Sequence, residues 1–415
     1  MPRILNKDNI IATVDIGTSK TCCLLAYYQG GERTVVVGAG VYQNNGVRDS
    51  EITDMGATVD SVKNAVELAE KNIGERIKTV VASSCAKTLE SQTVLDSIDL
   101  GGAEVTQNIV NRLIASAQGK IPASKDKILH CAPIDYTLDS RYAVADPRGL
   151  TGESLHVSLL TVFAPSHPVN DTVSALEHSN LSCSKIVASP YAAGLACLTE
   201  DEKKQGTAVI DLGAGTTGIA FFYGDQPVFI TNLPFGGDQI TRIIARTFHT
   251  SLPSAEKLKT LYGSTLSSAT YATEDVVVPL LGENDATVPV NRADLVKIIA
   301  PEIQKLFENV KAVLTHAGLC AECQNFVLTG GGALLHGINE KAAEILERPV
   351  RSGSPRGLND DKKIVPPAAY QSYMNCIGMM HYTTRVLMNT PQHKRDVSVP
   401  GNKFVRLLRW FLDNS

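Results

Sequence analysis

No stretch of this chain approaches the eighteen or so uncharged apolar residues that a membrane-spanning helix needs. The opening residues, MPRILNKDNIIATVDIG, hold no long apolar core of the kind a secretory signal carries, so the expectation is a cytosolic chain. Charge of neither sign dominates: 39 Lys and Arg face 43 Asp and Glu, a net charge of −4, and no global basic field suggests nucleic acid. Aromatic residues are scarce at 6%, and tryptophan is reduced to Trp410. Cysteine is present but unpatterned: nine residues stand singly or as Cys22–Cys23 and Cys320-x-x-Cys323. A lone C-x-x-C with no second pair and no His cluster is a weak metal signal, and reduced, buried thiols are the expectation. What remains is the composition of a globular protein, 43% hydrophobic and 20% charged, and 415 residues give room for two or three domains.

The chain repeats itself. Residues 10–41 read IIATVDIGTSKTCCLLAYYQGGERTVVVGAGV, and residues 207–233 read TAVIDLGAGTTGIAFFYGDQPVFITNL. Each is an apolar strand ending in Asp-x-Gly, a turn of small residues, a second apolar strand, a turn containing Gly, and a third strand. Asp15 and Gly17 match Asp211 and Gly213. The repeat predicts two related halves, each built on a sheet that opens with a hairpin.

GAGTTG, Gly213 to Gly218, formally fits the G-x-G-x-x-G dinucleotide fingerprint. That fingerprint needs a helix to begin there, with the pyrophosphate on its N-terminus. The following IAFFYG is β-branched and aromatic and reads as strand, which excludes the Rossmann reading. A tight turn rich in Gly, Ser and Thr instead presents successive backbone N–H groups to phosphate oxygens. Gly17, Gly213 and Gly215 allow close approach, Thr18, Ser19, Thr216 and Thr217 add hydroxyls, and Lys20 adds a positive charge. Asp15 and Asp211, at the strand ends, could hold the water shell of a Mg²⁺. The plainer reading, in which each Asp caps a turn, is weakened by the two matching copies.

NFVLTGGGALLHGI, residues 325–338, reads as a strand, three consecutive glycines (Gly330, Gly331, Gly332) and a helix starting near Ala333. Three glycines suit a place where a nucleoside approaches the backbone. In SAEKLKTLYG, residues 254–263, Glu256 and Lys259 share one face of a predicted helix. Taken alone they read as a solvated surface pair.

This order of parts resembles the actin, Hsp70 and sugar-kinase superfamily, with DIGTSK and DLGAGTT as its phosphate hairpins and TGGGALLHGI as its adenosine loop. The resemblance implies an actin-like two-domain α/β ATPase fold that takes ATP and Mg²⁺. It implies adenosine contacts from Glu256 and Lys259, a nucleotide contact from Gly237, and Mg-phosphate organised by Asp15 and Asp211. EVTQNIVNRLIASAQ (104–118) has helical periodicity, and KILHCAPIDYTLDSRYAVADPRGLTGESLHVSLLTVFA (127–164) reads as strands and a turn. HCAPIDYTLDS and DPRGLTGESLHV are similar to the insert, called 1C, of the bacterial cell-division family FtsA, and TEDEKKQGTAVIDLG (199–213) and PFGGDQITRIIARTF (234–248) extend the likeness. On that template residues 1–83, 164–205 and 366–388 form subdomain 1A, 84–163 the insert 1C, 206–240 with 325–365 subdomain 2A, and 241–324 subdomain 2B. A linker (389–402) and a membrane-targeting helix (403–415) complete it.

The resemblance further implies a peripheral protein on the cytoplasmic face of the cell inner membrane at the division site. It would self-associate into filaments, bind the C-terminal peptide of FtsZ through 2B, and meet later division proteins through 1C. VPVNRADLVKIIAPEIQKLFENVKAVLTHAG (288–318) reads as an amphipathic helical segment of 2B, with Arg292 and Lys297 as candidates for an acidic peptide's charges. Two positions depart from the superfamily pattern. Gly218 stands where an Asp often continues the second phosphate motif, and Ser189, before Pro190, stands where hydrolytic relatives carry a carboxylate. A hydroxyl of ordinary pKa is a poor general base, so any ATP hydrolysis is expected to be slow.

The last residues, NKFVRLLRWFLDNS, come after a polar segment containing Pro391 and Pro400. On a helical wheel Phe404, Val405, Leu407, Leu408, Phe411 and Leu412 share one broad face. Lys403, Arg406 and Arg409 lie opposite, with Trp410 at the boundary. That is the pattern of a helix lying in the surface of an anionic membrane; FtsA-like proteins end in such a helix. Against a superfamily kinase stands the lack of a convincing catalytic Asp. Against a PilM-like pilus-assembly protein stand the linker and tail.

Overall fold

The computed structural model describes residues 9–31, 33–84, 86–122, 126–139, 144–282 and 286–389. The expected membrane helix, with Lys403, Phe404, Arg406, Leu407, Leu408, Arg409, Trp410 and Phe411, lies outside the described residues.

Runs of β-branched and apolar residues make the two repeats into two meanders. Ile10–Ile16 pairs antiparallel with Lys20–Gly30, which pairs with Arg33–Gln43. Thr207–Leu212, Thr217–Tyr223 and Gln226–Leu233 do the same in the second half. Each meander grows on its other side by parallel strands, which need long crossovers. Thr79–Ser83 and then Ser182–Val187 extend the first sheet; Asn325–Thr329 and then Val350–Ser352 extend the second. The registers match, with Asp15 opposite Cys22 and Asp211 opposite Gly218 at the same ends of their strands. The second Asp-x-Gly turn leads into the strand Thr217–Tyr223, as the exclusion of a dinucleotide fold requires.

An insertion in the first half makes its own three-stranded antiparallel sheet, with Ser154–Ala164 between Glu90–Asp99 and Lys127–Leu138. The helix Gln107–Gly119, capped by the Thr106 hydroxyl, packs on it over Leu113, Leu138, Leu155 and Leu159. In the second half, Leu252–Tyr262 is helical, and a hairpin, Asp275–Pro279 with Thr287–Asn291, leads into the long helix Arg292–His316. The segment 288–318 is therefore not helical throughout. Residues 287–291 pair as strand, and the Asn291 side chain accepts the Ala293 N–H to start the helix.

The triple glycine does not open a helix directly. The regular helix begins at Ile338, not near Ala333; Gly331–Leu334 is a single 3₁₀ turn. Gly330 and Gly337 take left-handed backbones, φ 83° and 77°, which interrupt any helix through the loop.

The helix Tyr370–Asn389 packs on Ser189–Cys197, and its Met374, Cys376, Ile377, Met379 and Met380 are buried. The same core takes Val14 and Leu24 from the first sheet and Val209, Phe222 and Val327 from the second, so one apolar body joins the halves. All eight described cysteines are free, and five of them are buried, as expected; burial pushes the Cys197 thiol up to about 12. Among the described residues no helix is long and apolar enough to cross a membrane, and no His, Cys, Asp and Glu cluster holds a metal by itself.

Candidate nucleotide site

The two meanders bring their aspartates together. The Asn375 amide nitrogen lies 3.4 Å from Asp15 Oδ2 and 3.2 Å from Asp211 Oδ2, so one side chain bridges the halves. Ser83, at the end of the adjoining strand, donates to Asp15 Oδ1. Burial first, and then the charge of Asp15, pushes the Asp211 carboxyl up to about 7, against the Asn375 amide and the Lys20 ammonium. Burial also raises Asp15, against Ser83, Asn375 and Lys20. Two carboxyls in a dry site resist double ionisation unless a cation joins them.

The turns behind these aspartates touch. Gly17 N donates to Lys20 O at 3.0 Å and Gly213 N to Thr216 O at 3.0 Å, closing two matching turns. The N–H groups of Thr18, Ser19, Gly215 and Thr216 have no backbone acceptor among the described residues, which leaves them for an anion. The helix Gly237–Thr247 starts against the second turn: Gly237 N donates to Gly213 O (3.0 Å) and Asp238 N to Ala214 O (2.9 Å). Lys259 is not a surface residue. Its ammonium, 13% exposed as a side chain, reaches Glu256 at 2.7 Å, Gly237 O at 3.0 Å and the Thr241 hydroxyl at 2.8 Å. Thus Glu256 and Lys259 stand beside the second turn. The third motif closes the same space: Gly330 would carry its Cβ 2.5 Å from Asp211 Oδ1, whereas a Cβ on Gly331 would meet nothing within 4 Å. Gly332 packs on Leu212.

Three expected residues are placed otherwise. Thr217 is fully buried, and its hydroxyl donates to Phe235 O at 2.8 Å, so it holds the fold instead of facing the cleft. Lys20 donates to Ser372 Oγ at 2.5 Å, and its charge still lowers both aspartates. Arg292 lies 3.9 Å over the Tyr271 ring, pairs with Glu274 at 2.8 Å and donates to Tyr262 O, so its donors are engaged within the protein. Lys297 is 76% exposed, and its ion-pair partner among the described residues is Asp294, its neighbour on the same helix.

Residues that sequence reasoning missed sit on the helix Tyr370–Asn389. Gln371 accepts from Thr329 Oγ1 (2.9 Å) and Gly330 N (3.1 Å), Ser372 takes Lys20, and Asn375 takes both aspartates. Their signal was present: in YQSYMNCIGMM polar residues recur at i, i+1 and i+4 within an otherwise buried, apolar run.

Comparison with known proteins decides the family. A model described as "Cell division protein FtsA" matches residues 208–378, and one described as "SHS2 domain inserted in FTSA" matches 86–163. The cell division protein FtsA of Neisseria meningitidis serogroup B is 32% identical over 98% of this chain and 98% of its own length. The chain belongs to the FtsA family.

Other FtsA proteins agree: that of Rhizobium meliloti is 29% identical over 98% of this chain and 95% of its own, and that of Escherichia coli 25% over 97% of each. Solved structures show the fold. The PilM-PilN type IV pilus biogenesis complex superposes with a TM-score of 0.64 at 17% identity, covering 92% of this chain and 99% of that one. MreB5 of Spiroplasma citri bound to ADP gives 0.54 at 12%, covering 93% and 100%. The actin-like α/β architecture with an FtsA-type insert is thereby established, and this chain is an FtsA-family cell-division protein.

For an FtsA-family cleft the residues present fit a magnesium nucleotide. Asp15 and Asp211 supply a carboxylate pair whose desolvation a hydrated cation relieves. Asn375 Oδ1, buried and without a hydrogen-bond partner among the described residues, is an acceptor left for a metal-bound water. Ser189 starts its helix, and among the described residues its hydroxyl meets Ser84 O at a long 3.5 Å, a carbonyl that cannot act as a base.

Proposed function

We propose that this FtsA-family chain binds Mg-ATP between its halves and uses it mainly as a structural ligand. The chain polymerises on the inner face of the cytoplasmic membrane and holds FtsZ and later division proteins there. The observation that carries the nucleotide reading is the meeting of Asp15 and Asp211 on one amide, that of Asn375, with Gly330 packed against Asp211 and the backbone open at Gly331 beside it. ATP would place its phosphates at the two turns, its Mg²⁺ by way of water on Asp15 and Asp211, and its nucleoside against Gly330 to Gly332 and the Glu256–Lys259 pair. Relatives of this fold have been solved bound to ADP and to AMPPNP.

The membrane reading is supported by the two-faced sequence pattern of residues 403–412 and by the tethering role that the resemblance implies. The FtsZ reading is supported by an exposed Lys297 on 2B, and the insert reads as a subunit contact. Gly331→Val tests the nucleotide site: a Cβ there meets no protein atom within 4 Å, and in this reading the branched side chain takes the space the nucleoside needs. Affinity for ATP is abolished while the melting temperature without ligand stays the same; undiminished affinity would refute the assignment. Co-sedimentation with anionic vesicles, full chain beside one ending at Asn389, tests the membrane reading. Equal sedimentation of both would refute it.

A further inference from the structure

Between Arg33–Gln43 and the helix Met55–Glu70 the chain forms a small hairpin, Val47–Arg48 against Glu51–Ile52, with Asp49 and Ser50 as its turn. Both turn residues have left-handed backbone, φ 48° and 60°. Two-residue turns of that kind favour Asn-Gly or Gly-Gly. Asp and Ser there carry backbone strain, a cost that points to a use for their side chains.

The side chains reach across the cleft. Ser50 Oγ is 3.0 Å from Thr216 Oγ1 on the second phosphate turn, and Asp49 Oδ1 is 2.9 Å from an Arg242 nitrogen on the helix Gly237–Thr247. Ser50 N donates to Thr18 Oγ1 on the first turn at 3.1 Å. Both ends are anchored to the phosphate turns. Asn44 donates to Gly17 O and accepts from Gly46 N, each at 3.0 Å, while Gly46 O takes the N–H groups of Thr53 and Asp54. The first turn and the hairpin base therefore move together. On the far side, Arg242 rides on the helix whose first N–H groups hold Gly213 and Ala214.

We propose that the Asp49–Ser50 tip is a latch that closes the two halves across the nucleotide cleft and sets the rate at which nucleotide leaves. This rests on the nucleotide reading above. The contacts are of the weak, reversible kind: the ion pair is about two-fifths exposed on each side, and the rest is one hydroxyl pair. Breaking them loosens the mouth of the cleft while the Asn375 bridge and the shared core still hold the halves together. The tip is not a phosphate ligand in this scheme. It spans the turns that are.

The test is release of a fluorescent ATP analogue with Mg²⁺, chased with unlabelled ATP. Asp49→Gly with Ser50→Gly keeps a turn sequence that suits the backbone and removes both side chains, so the chain folds with an undiminished melting temperature. Release should quicken roughly tenfold, with association little changed. Arg242→Ala, on the opposite half, should quicken release in the same direction, and combining it with Asp49→Gly should add nothing beyond the larger single effect. Release that is unchanged or slower in the double-glycine chain overturns the latch while leaving the nucleotide reading standing. An unmodified chain that binds no analogue overturns the nucleotide reading, and the latch with it.

Discussion

Thr18 and Gly215 face each other across the cleft so closely that a Cβ on Gly215 would stand 2.5 Å from the Thr18 hydroxyl oxygen. The same atom would stand 2.7 Å from Ser50 N, so backbone as well as side chain is in the way. A side chain at residue 215 would strain the closed arrangement of the two turns. Overpacking of this kind costs about 1–3 kcal/mol. For Gly215→Ala the strain falls on the closed state, and nucleotide affinity should drop roughly 5- to 150-fold. Titration with a fluorescent ATP analogue checks this; affinity equal to that of the unmodified protein would show that the turns move apart at no cost.

Asn375→Ala should destabilise the chain and weaken its hold on Mg-ATP. Among the described residues Asn375 is the donor shared by Asp15 and Asp211, and its Oδ1 is the acceptor left for a metal-bound water. Loss of hydrogen bonds to buried carboxyls costs about 1–3 kcal/mol. Mg-ATP should therefore raise the melting temperature of Asn375→Ala by less than it raises that of the unmodified protein. An equal rise in both would count against a metal-bound water at Asn375.

Acid should weaken the fold at His130. Its Nε2 accepts the Ala188 N–H at 2.9 Å, and its ring meets those of Tyr191 and Tyr382 edge-on. Burial first, and then the nearby Lys185 charge, lowers it from 6.5 to about 3. Below 6.5 the unfolded chain takes a proton that the folded chain refuses, so this contribution is lost as pH falls from 6.5 towards 3. Between pH 7 and pH 5 the loss is about 2 kcal/mol. His130→Gln keeps an acceptor but does not titrate. Denaturant unfolding at the two pH values should show a smaller acid loss in the variant, by about that amount.

ATP turnover should be slow. The superfamily resemblance implies a carboxylate at the position of Ser189 in hydrolytic relatives, and among the described residues the Ser189 hydroxyl meets only a carbonyl, Ser84 O. Phosphate release from purified protein should be far slower than nucleotide exchange. Brisk turnover that stays with the chain through successive columns would mean that another group aligns the water.

Trp410, the one indole of the chain, reports on the tail. Anionic vesicles should shift its fluorescence to the blue, more strongly under polymerising conditions, because several tails on one filament bind together. Leu408→Glu should abolish the shift by placing a charge in the apolar face. A tryptophan already buried without lipid, and unmoved by vesicles, would mean that the tail packs on the protein.

By itself the sequence determined the duplicated meander, the Asp-x-Gly turns at matching strand ends, the insert's helix and strands, and the exclusion of a dinucleotide fold. Each is a local pattern, written in strand alternation, small-residue turns and helical spacing within a few tens of residues. Tertiary structure alone decided what depends on distant segments meeting. Asn375 is separated from Asp15 by almost the whole chain, and Gln371 and Ser372 reach the glycine loop and Lys20 only because their helix packs on Ser189–Cys197. The same holds for the losses. Thr217 looks like a phosphate ligand until pairing turns its hydroxyl to Phe235 O, and Arg292 looks free until Tyr271 and Glu274 close on it. A side chain's type is written locally, but its exposure and its partners depend on how the sheets, helices and turns are packed.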